Sequence, residues 1–168
     1  MKNSNIKSIV VLTVICLVVV TLLAAVNHVT RPIIDKNALY AEQESLRKVL
    51  PDAKEFNALE LEGAPETVTG LYEEKDGLGY AVTLSTVSGY SQNPMTFTIG
   101  ITADGRIAGI EITNYSETKD FGSYPETFIG KDAELSGVDV AAGVTYSSEA
   151  FKSAVKDAFA AVGEVSEK

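Results

Sequence analysis

The most apolar part of the chain is an uncharged run over residues 9–26, interrupted only by two threonines. As an α-helix this run is about 27 Å long, close to the hydrocarbon thickness of a membrane. Lys2 and Lys7 precede it, and the positive-inside tendency places such lysines in the cytoplasm. The pattern predicts a single-pass transmembrane helix in the cell membrane, with residues 1–8 in the cytoplasm and the following domain on the extracytoplasmic side.

A cleavable signal peptide and a lipoprotein signal are the alternatives for this run. A cleavable signal has a shorter apolar core and a small-residue cleavage site, whereas Asn27 and His28 follow the run here. A lipoprotein anchor at Cys16 needs a small residue before the cysteine, and Ile15 stands there. We therefore interpret the run as a retained helix. Because Cys16 is the only cysteine, an internal disulfide and a CxxC redox pair are excluded.

After the run, the periodicity changes from helical to alternating. Residues 27–37 predict a junction, and residues 38–50 predict a helix that ends before Pro51. Alternation of apolar and polar residues then predicts an antiparallel meander, with Asp104-Gly105 as a tight hairpin turn. The predicted strands are 67–74, 79–87, 95–103 and 106–113.

The C-terminal segment predicts a second helix, after a loop with one helical turn near 126–129. Apolar residues recur at four-residue steps from Ala150, and Ser147 or Ser148 is a suitable N-cap. The elements together predict an α+β fold, in which a sheet with one covered face is flanked by helices. The predicted domain extends over residues 38–168.

Charge is distributed unevenly along the chain. Residues 1–36 contain four basic residues and one acidic residue, a formal charge of +3. The remaining residues contain ten basic and 22 acidic residues, a formal charge of −12. Because affinity for nucleic-acid phosphates comes from lysine and arginine, so acidic a domain excludes a nucleic-acid partner.

Side chains suited to catalysis are scarce. The only histidine, His28, lies next to the predicted membrane segment. A His-containing triad and a histidine-ligated zinc or haem are therefore excluded from the domain. The sequence has no P-loop and no dinucleotide-binding glycine motif. It predicts neither a catalytic residue nor a metal site.

The segment before the C-terminal helix has the composition of a phosphate site. A helix N-terminus offers free N–H groups and a partial positive charge. Gly143 allows close approach of the backbone, and Ser147 and Ser148 can donate hydrogen bonds. A phosphate ester on Thr145 is one interpretation. The alternative, from the residues alone, is that Thr145 is an ordinary turn or cap residue.

Residues 139–148, DVAAGVTYSS, resemble the flavinylation motif of the FMN-binding domain family. That motif is an Asp, two variable residues and then Ser/Thr-Gly-Ala-Thr-x-Thr/Ser-Ser. The threonine after the alanine receives FMN through a phosphoester bond made by a flavin transferase. Asp139, Gly143 and Thr145 match the motif, and Thr145 is the implied acceptor. Two positions depart from it: Ala142 and Val144.

The resemblance covers nearly the whole chain, because the predicted N-terminal anchor and the segment after it, TRPIIDKNALYAEQESLRKVLPDAKEF (residues 30–56), are also similar to that family. Two further loops add to it. The SGY segment at 88–90 fits the G subunits of Rnf-type ion-translocating ferredoxin:NAD oxidoreductases. SETKDFG, residues 116–122, is similar to the Glu-Thr-Pro-Gly-Leu-Gly loop beside the flavin in that family. The C subunits of sodium-translocating NADH:quinone reductases are a related but longer class. The flavin-binding residues that the resemblance implies are Gly89, Tyr90, Glu117, Thr118, Gly122, Asp139, Ala142, Gly143, Val144, Thr145, Ser147 and Ser148.

The resemblance implies an electron-transfer subunit with covalent FMN that is not catalytic by itself. Its complex would couple electron transfer between ferredoxin and NAD to the movement of sodium ions or protons. The implied partners are the other subunits of that complex, the flavin transferase, and the membrane through one helix. An external flavodomain of another redox chain, and an anchored binding module that has lost its flavin, are the alternatives.

Overall fold

The structure is a computed structural model, and it describes residues 2–89, 91–116 and 119–166. The chain divides into two compact units, residues 1–42 and residues 43–168. The helices are α1 (Lys2–Val49), a short 3₁₀ helix (Tyr124–Phe128) and α2 (Thr145–Ser166). The strands are β1 (Phe56–Ala58), β2 (Val68–Glu74), β3 (Gly79–Val87), β4 (Pro94–Thr102) and β5 (Ile107–Asn114).

Helix α1 is longer than either helix predicted in this part of the chain. It contains the apolar run and continues through the predicted junction at 27–37, including Pro32. A proline inside a helix removes one backbone hydrogen bond without always ending the helix. The helix ends at Val49, as predicted, because Pro51 disfavours its continuation.

The predicted transmembrane helix over residues 9–26 was wrong. No helix in the described part of the chain is long and apolar enough to cross a membrane. The predicted cytoplasmic N-terminus and extracytoplasmic domain depended on that span and lose their basis with it.

The predicted antiparallel meander is confirmed. The five strands follow one another in the order β1-β2-β3-β4-β5, and each pairs antiparallel with its neighbour. The four predicted strands agree with β2 to β5 to within one residue at each end. Strand β1 was missed because it has only three residues, of which Phe56 alone is buried, so it shows no alternation.

Both faces of the sheet are covered, so the prediction of a single covered face was wrong. On one face, α2 packs over the alternating apolar residues of β4, which include Phe97 and Ile99. On the other face, Leu46 and Val49 from the C-terminal end of α1 form a second cluster with Ala81 of β3. A helix that is distant in sequence therefore covers positions that alternation assigned to solvent.

Glycines of β4 and β5 allow the end of α1 to approach this second face closely. Gly100 of β4 and Gly109 of β5 are paired across the two strands. A Cβ atom on Gly100 would lie 2.3 Å from the carbonyl oxygen of Val49, and one on Gly109 would lie 3.0 Å from the same atom. Real Cβ atoms do not approach backbone oxygen as closely as 2.3 Å, so the packing of α1 requires glycine at 100.

We predict that Gly100→Ala destabilises the domain by at least about 2 kcal/mol, because the helix end and the sheet must separate. Gly163→Ala is the matched control, since Gly163 lies in α2 with no atom within 4 Å of its would-be Cβ. That change should stabilise the protein by about 0.5–1 kcal/mol through helix propensity. Thermal unfolding followed by circular dichroism measures both effects, and equal melting temperatures for the two variants would contradict the close approach.

A buried carboxylate closes the turn between β2 and β3. Glu74 is 1% exposed, and its carboxylate accepts hydrogen bonds from the backbone N–H groups of Asp76 (2.7 Å), Leu78 (3.2 Å) and Lys54 (3.4 Å). Burial acts to raise the pKa of Glu74, but these three hydrogen bonds outweigh it and hold the pKa below its ordinary value of 4.5. The folded protein therefore stabilises the ionised form of Glu74.

Glu74 should make stability depend on pH at the acid end. A carboxyl whose folded pKa is depressed stabilises the protein above its unfolded pKa, and that contribution is lost as the pH falls through the folded pKa. We expect the gap in melting temperature between the wild type and Glu74→Gln to be full near neutral pH and to shrink below 4.5. If the gap in melting temperature between the two proteins stays constant across about pH 3–6, Glu74 does not cause this pH dependence.

Candidate functional site

Thr145 is the first residue of α2, and it is exposed. The predicted N-cap at Ser147 or Ser148 was wrong, because the helix begins upstream of both serines. The first helical hydrogen bond joins the N–H of Ser148 to the carbonyl of Val144, over 2.9 Å. The serines are buried in the first turn instead, with exposures of 3% and 0%.

The buried Ser148 connects the turn at residues 141–144 to the first turn of α2. This turn is called the acceptor turn below, because it precedes the implied flavin acceptor Thr145. Its Oγ donates a hydrogen bond to the carbonyl of Thr145 (3.0 Å) and accepts one from the N–H of Ala141 (3.1 Å). Its own carbonyl accepts a hydrogen bond from the hydroxyl of Tyr124, over 3.3 Å. The loop before Thr145 is therefore held by side-chain bonds as well as by the backbone.

The residues before Thr145 form a turn that fits this sequence. The N–H of Val144 donates to the carbonyl of Ala141 (3.3 Å), and Gly143 has a φ of +85°, a region that favours glycine. Of the two departures from the flavinylation motif, Ala142 is exposed and Val144 is half-buried against the core. The larger side chain at 144 is thus accommodated by packing.

The structure brings two other predicted segments to this end of α2. A Cβ atom on the exposed Gly89 would lie 3.6 Å from Cδ1 of Tyr146, so the loop after β3 adjoins the first turn. Nζ of Lys119 is 3.7 Å from the would-be Cβ of Gly143, so the loop after β5 adjoins the acceptor turn. The predicted residues Tyr90, Glu117 and Thr118 lie outside the described residues.

The two remaining predicted residues are Gly122, in the loop after β5, and Asp139, two residues before the turn. Gly122 is exposed with a φ of +55°, and its N–H donates to the carboxylate of Asp120 over 3.4 Å. Asp139 is exposed and acts on Tyr124: burial raises the pKa of that phenol, the hydrogen bond to Ser148 lowers it, and the Asp139 charge raises it. Because the net effect is a raised pKa, Tyr124 stays protonated as the donor to Ser148.

Three residues at the site were missed by sequence reasoning: Lys119, Tyr124 and Tyr146. Lys119 was noticed only as a departure from a family loop. Tyr124 lies at the start of the 3₁₀ helix, and its only signal was the helical turn predicted near it. Tyr146 occupies a variable position of the motif, and its approach to Gly89 depends on the fold.

The groups at this end of α2 fit a phosphate. An exposed hydroxyl stands at the first position of a 22-residue helix, whose first turn has N–H groups without an intrahelical acceptor. The helix dipole adds partial positive charge at the same place. Nζ of Lys119 lies 3.7 Å from the would-be Cβ of Gly143, so a positive charge is next to the turn. A phosphate ester at Thr145 is therefore compatible with the local charge and geometry.

Comparison with known proteins identifies the same region of the chain as a flavin-binding domain. Residues 89–160, which include all the site segments, match the FMN-binding domain family. Over 143 residues the chain is 30% identical to the G subunit of the Na⁺-translocating ferredoxin:NAD⁺ oxidoreductase complex of Acetobacterium woodii. That alignment covers 74% of this chain and 69% of the relative. The chain belongs to the family of Rnf-complex G subunits.

As a member of this family, the chain carries an FMN-binding domain in which the motif turn, the loop after β3 and the loop after β5 meet at one end of α2. The match begins at residue 89, in the loop after β3, so α1 and strands β1 to β3 lie outside it. The part of the domain within the match is the part that carries the motif.

We predict that Ser148→Ala destabilises the domain by about 1–2 kcal/mol, because the N–H of Ala141 loses its acceptor. Ser153→Ala is the matched control: Ser153 lies exposed on α2, and this change should alter stability by about 0.5 kcal/mol or less. Chemical denaturation of both variants measures the difference. If Ser148→Ala is no less stable than Ser153→Ala, Ser148 does not hold the loop.

Proposed function

We propose that this protein is the FMN-carrying electron-transfer subunit of an Rnf-type ferredoxin:NAD oxidoreductase complex, with the flavin held by a phosphoester bond to Thr145. The observation that carries the proposal is the position of Thr145. It is exposed at the first position of α2, within a motif that resembles the flavinylation motif and inside the match to the FMN-binding family.

A covalent bond suits the charge of this domain. Outside residues 1–36 the chain has a formal charge of −12, which opposes the binding of an anionic cofactor by affinity alone. The N-terminus of α2 offsets that repulsion locally, since its N–H groups and dipole favour negative charge. An ester at Thr145 then prevents loss of the cofactor.

Thr145 supplies the oxygen of the proposed ester. Its Oγ1 forms a bond to a phosphorus atom of a flavin dinucleotide donor, and the P–O bond within the pyrophosphate of the donor breaks. AMP leaves, and the hydroxyl proton goes to the leaving group or to solvent, so that no oxidation or reduction occurs. A flavin transferase is the proposed catalyst, because the site itself offers no histidine as a base.

FMN supplies one-electron chemistry that protein side chains lack, and the protein contributes its position and electrostatic surroundings. The relative in Acetobacterium woodii belongs by name to a complex that joins ferredoxin, NAD⁺ and Na⁺ translocation. We propose that this subunit relays electrons within such a complex and is not catalytic alone. The proposed partners are the other subunits, through which the protein is associated with the membrane, and the proposed flavin-carrying domain is residues 38–168.

In-gel flavin fluorescence tests the attachment site. When the full chain is produced together with a flavin transferase and denatured, the wild-type band should fluoresce under ultraviolet light. Thr145→Val keeps the shape of the side chain but removes the hydroxyl, so its band should be dark. Thr145→Ser is the matched control and should keep most of the fluorescence, because the acceptor oxygen is retained.

Two results would count against the proposal. A dark wild-type band, obtained with a transferase that modifies a control substrate, would exclude covalent flavin and favour a binding module without a redox role. A fluorescent Thr145→Val band would place the flavin on another residue.

A further inference from the structure

Lys119 lies over the glycine of the acceptor turn. Its Nζ is 3.7 Å from the position that a Cβ atom would occupy at Gly143, two residues before Thr145. The lysine is exposed, and none of the four ion pairs formed among the described residues includes it. A cation without an anionic partner in the described part of the chain therefore lies beside the turn that immediately precedes Thr145.

Aromatic packing fixes the backbone that carries this cation. The hydroxyl of Tyr115 donates a hydrogen bond to the carbonyl of Lys119, over 2.5 Å. The Tyr115 ring lies 4.6 Å from that of Phe121, and Phe121 packs edge-on against Phe151 of α2 with a centroid distance of 5.3 Å. The helix that begins at Thr145 thus also sets the position of Lys119.

Lys119 is one of the positions at which this chain departs from the family loop that it resembles. The family loop that SETKDFG resembles has proline where this sequence has Lys119. The surrounding domain is strongly acidic, with a formal charge of −12 outside residues 1–36. A single lysine beside the acceptor turn therefore changes the local charge in the direction that an incoming flavin phosphate requires.

We propose that the Lys119 ammonium pairs with the phosphate of the flavin at Thr145 and positions it for ester formation. The inference rests on the proposed function, since it assigns a partner to the phosphate of that ester. Lys119 is a positioning residue: no bond forms or breaks at its side chain. It neutralises a phosphate that would otherwise approach an acidic surface, and its effect is electrostatic.

The rate of flavin attachment tests this role. Purified full-length protein is incubated with a limiting amount of flavin transferase and a flavin dinucleotide, and the fluorescence of the denatured band is followed with time. Lys119→Ala should slow attachment by about three- to fivefold, the upper part of the range for an exposed ion pair. Lys119→Arg should keep at least about half of the rate, because it keeps the charge. Lys156→Ala, which removes an exposed lysine of α2 away from the acceptor turn, is the control and should react at the wild-type rate.

Salt provides a second readout that a structural role would not move. Charge pairing is screened within about 3 Å at 1 M salt, so added salt should slow the wild type more than Lys119→Ala and bring the two rates together. The melting temperatures of the wild type and Lys119→Ala should agree to about 2 °C, which excludes misfolding as the cause of the slower attachment.

The outcomes separate this inference from the proposed function. Equal rates for Lys119→Ala and Lys156→Ala would overturn the role of Lys119 while leaving the ester at Thr145 intact. An arginine variant as slow as the alanine variant, or a gap in rate that salt does not narrow, would also overturn it. A dark wild-type band would instead refute the ester itself. We expect Lys119→Ala to be the only variant of the three with slow attachment. We also expect added salt to reduce the difference in rate between this variant and the wild type.

Discussion

The stacking of Phe151 on Phe97 fixes where α2 lies on the sheet, and the position of Thr145 follows from it. The two rings are fully buried, 4.3 Å apart and nearly parallel. Phe121 and Phe128 pack edge-on against the same Phe151 ring, each at 5.3 Å. One aromatic side chain of α2 therefore joins strand β4, the loop after β5 and the 3₁₀ helix. Because these segments converge on Phe151, the start of α2 and the neighbouring loop are placed together.

Hydrogen bonds add to the aromatic packing in holding the start of α2 in place. Ser148 and Tyr124 join the first turn of α2 to the acceptor turn and to the 3₁₀ helix. No buried side-chain nitrogen or oxygen among the described residues lacks a hydrogen bond, so these bonds satisfy the groups they bury. Thr145, Gly143 and Lys119 are exposed, and in the proposed function they are the groups nearest to the flavin phosphate.

Local patterns predicted the elements well, whereas contacts between distant segments left no signal. The alternation of Phe97 and Ile99 predicted β4 and one buried face, but the burial of Gly100 on the other face depends on Val49 of a helix far away in sequence. The same holds at the site. The motif around Thr145 is contiguous and could be recognised, while the approach of Lys119 depends on tertiary packing. The start of α2 was placed too late because the serines suggested caps and are instead buried in its first turn.

The central claim is that Thr145 carries FMN, and peptide mapping of the protein produced with a flavin transferase tests it most directly. Trypsin releases residues 132–152 as one peptide, which contains Thr145 together with Ser147 and Ser148. The account predicts that this peptide gains the mass of FMN less one water, and that fragment ions place the addition on Thr145. An unmodified peptide from a preparation with an active transferase, or an addition confined to a serine, would contradict it.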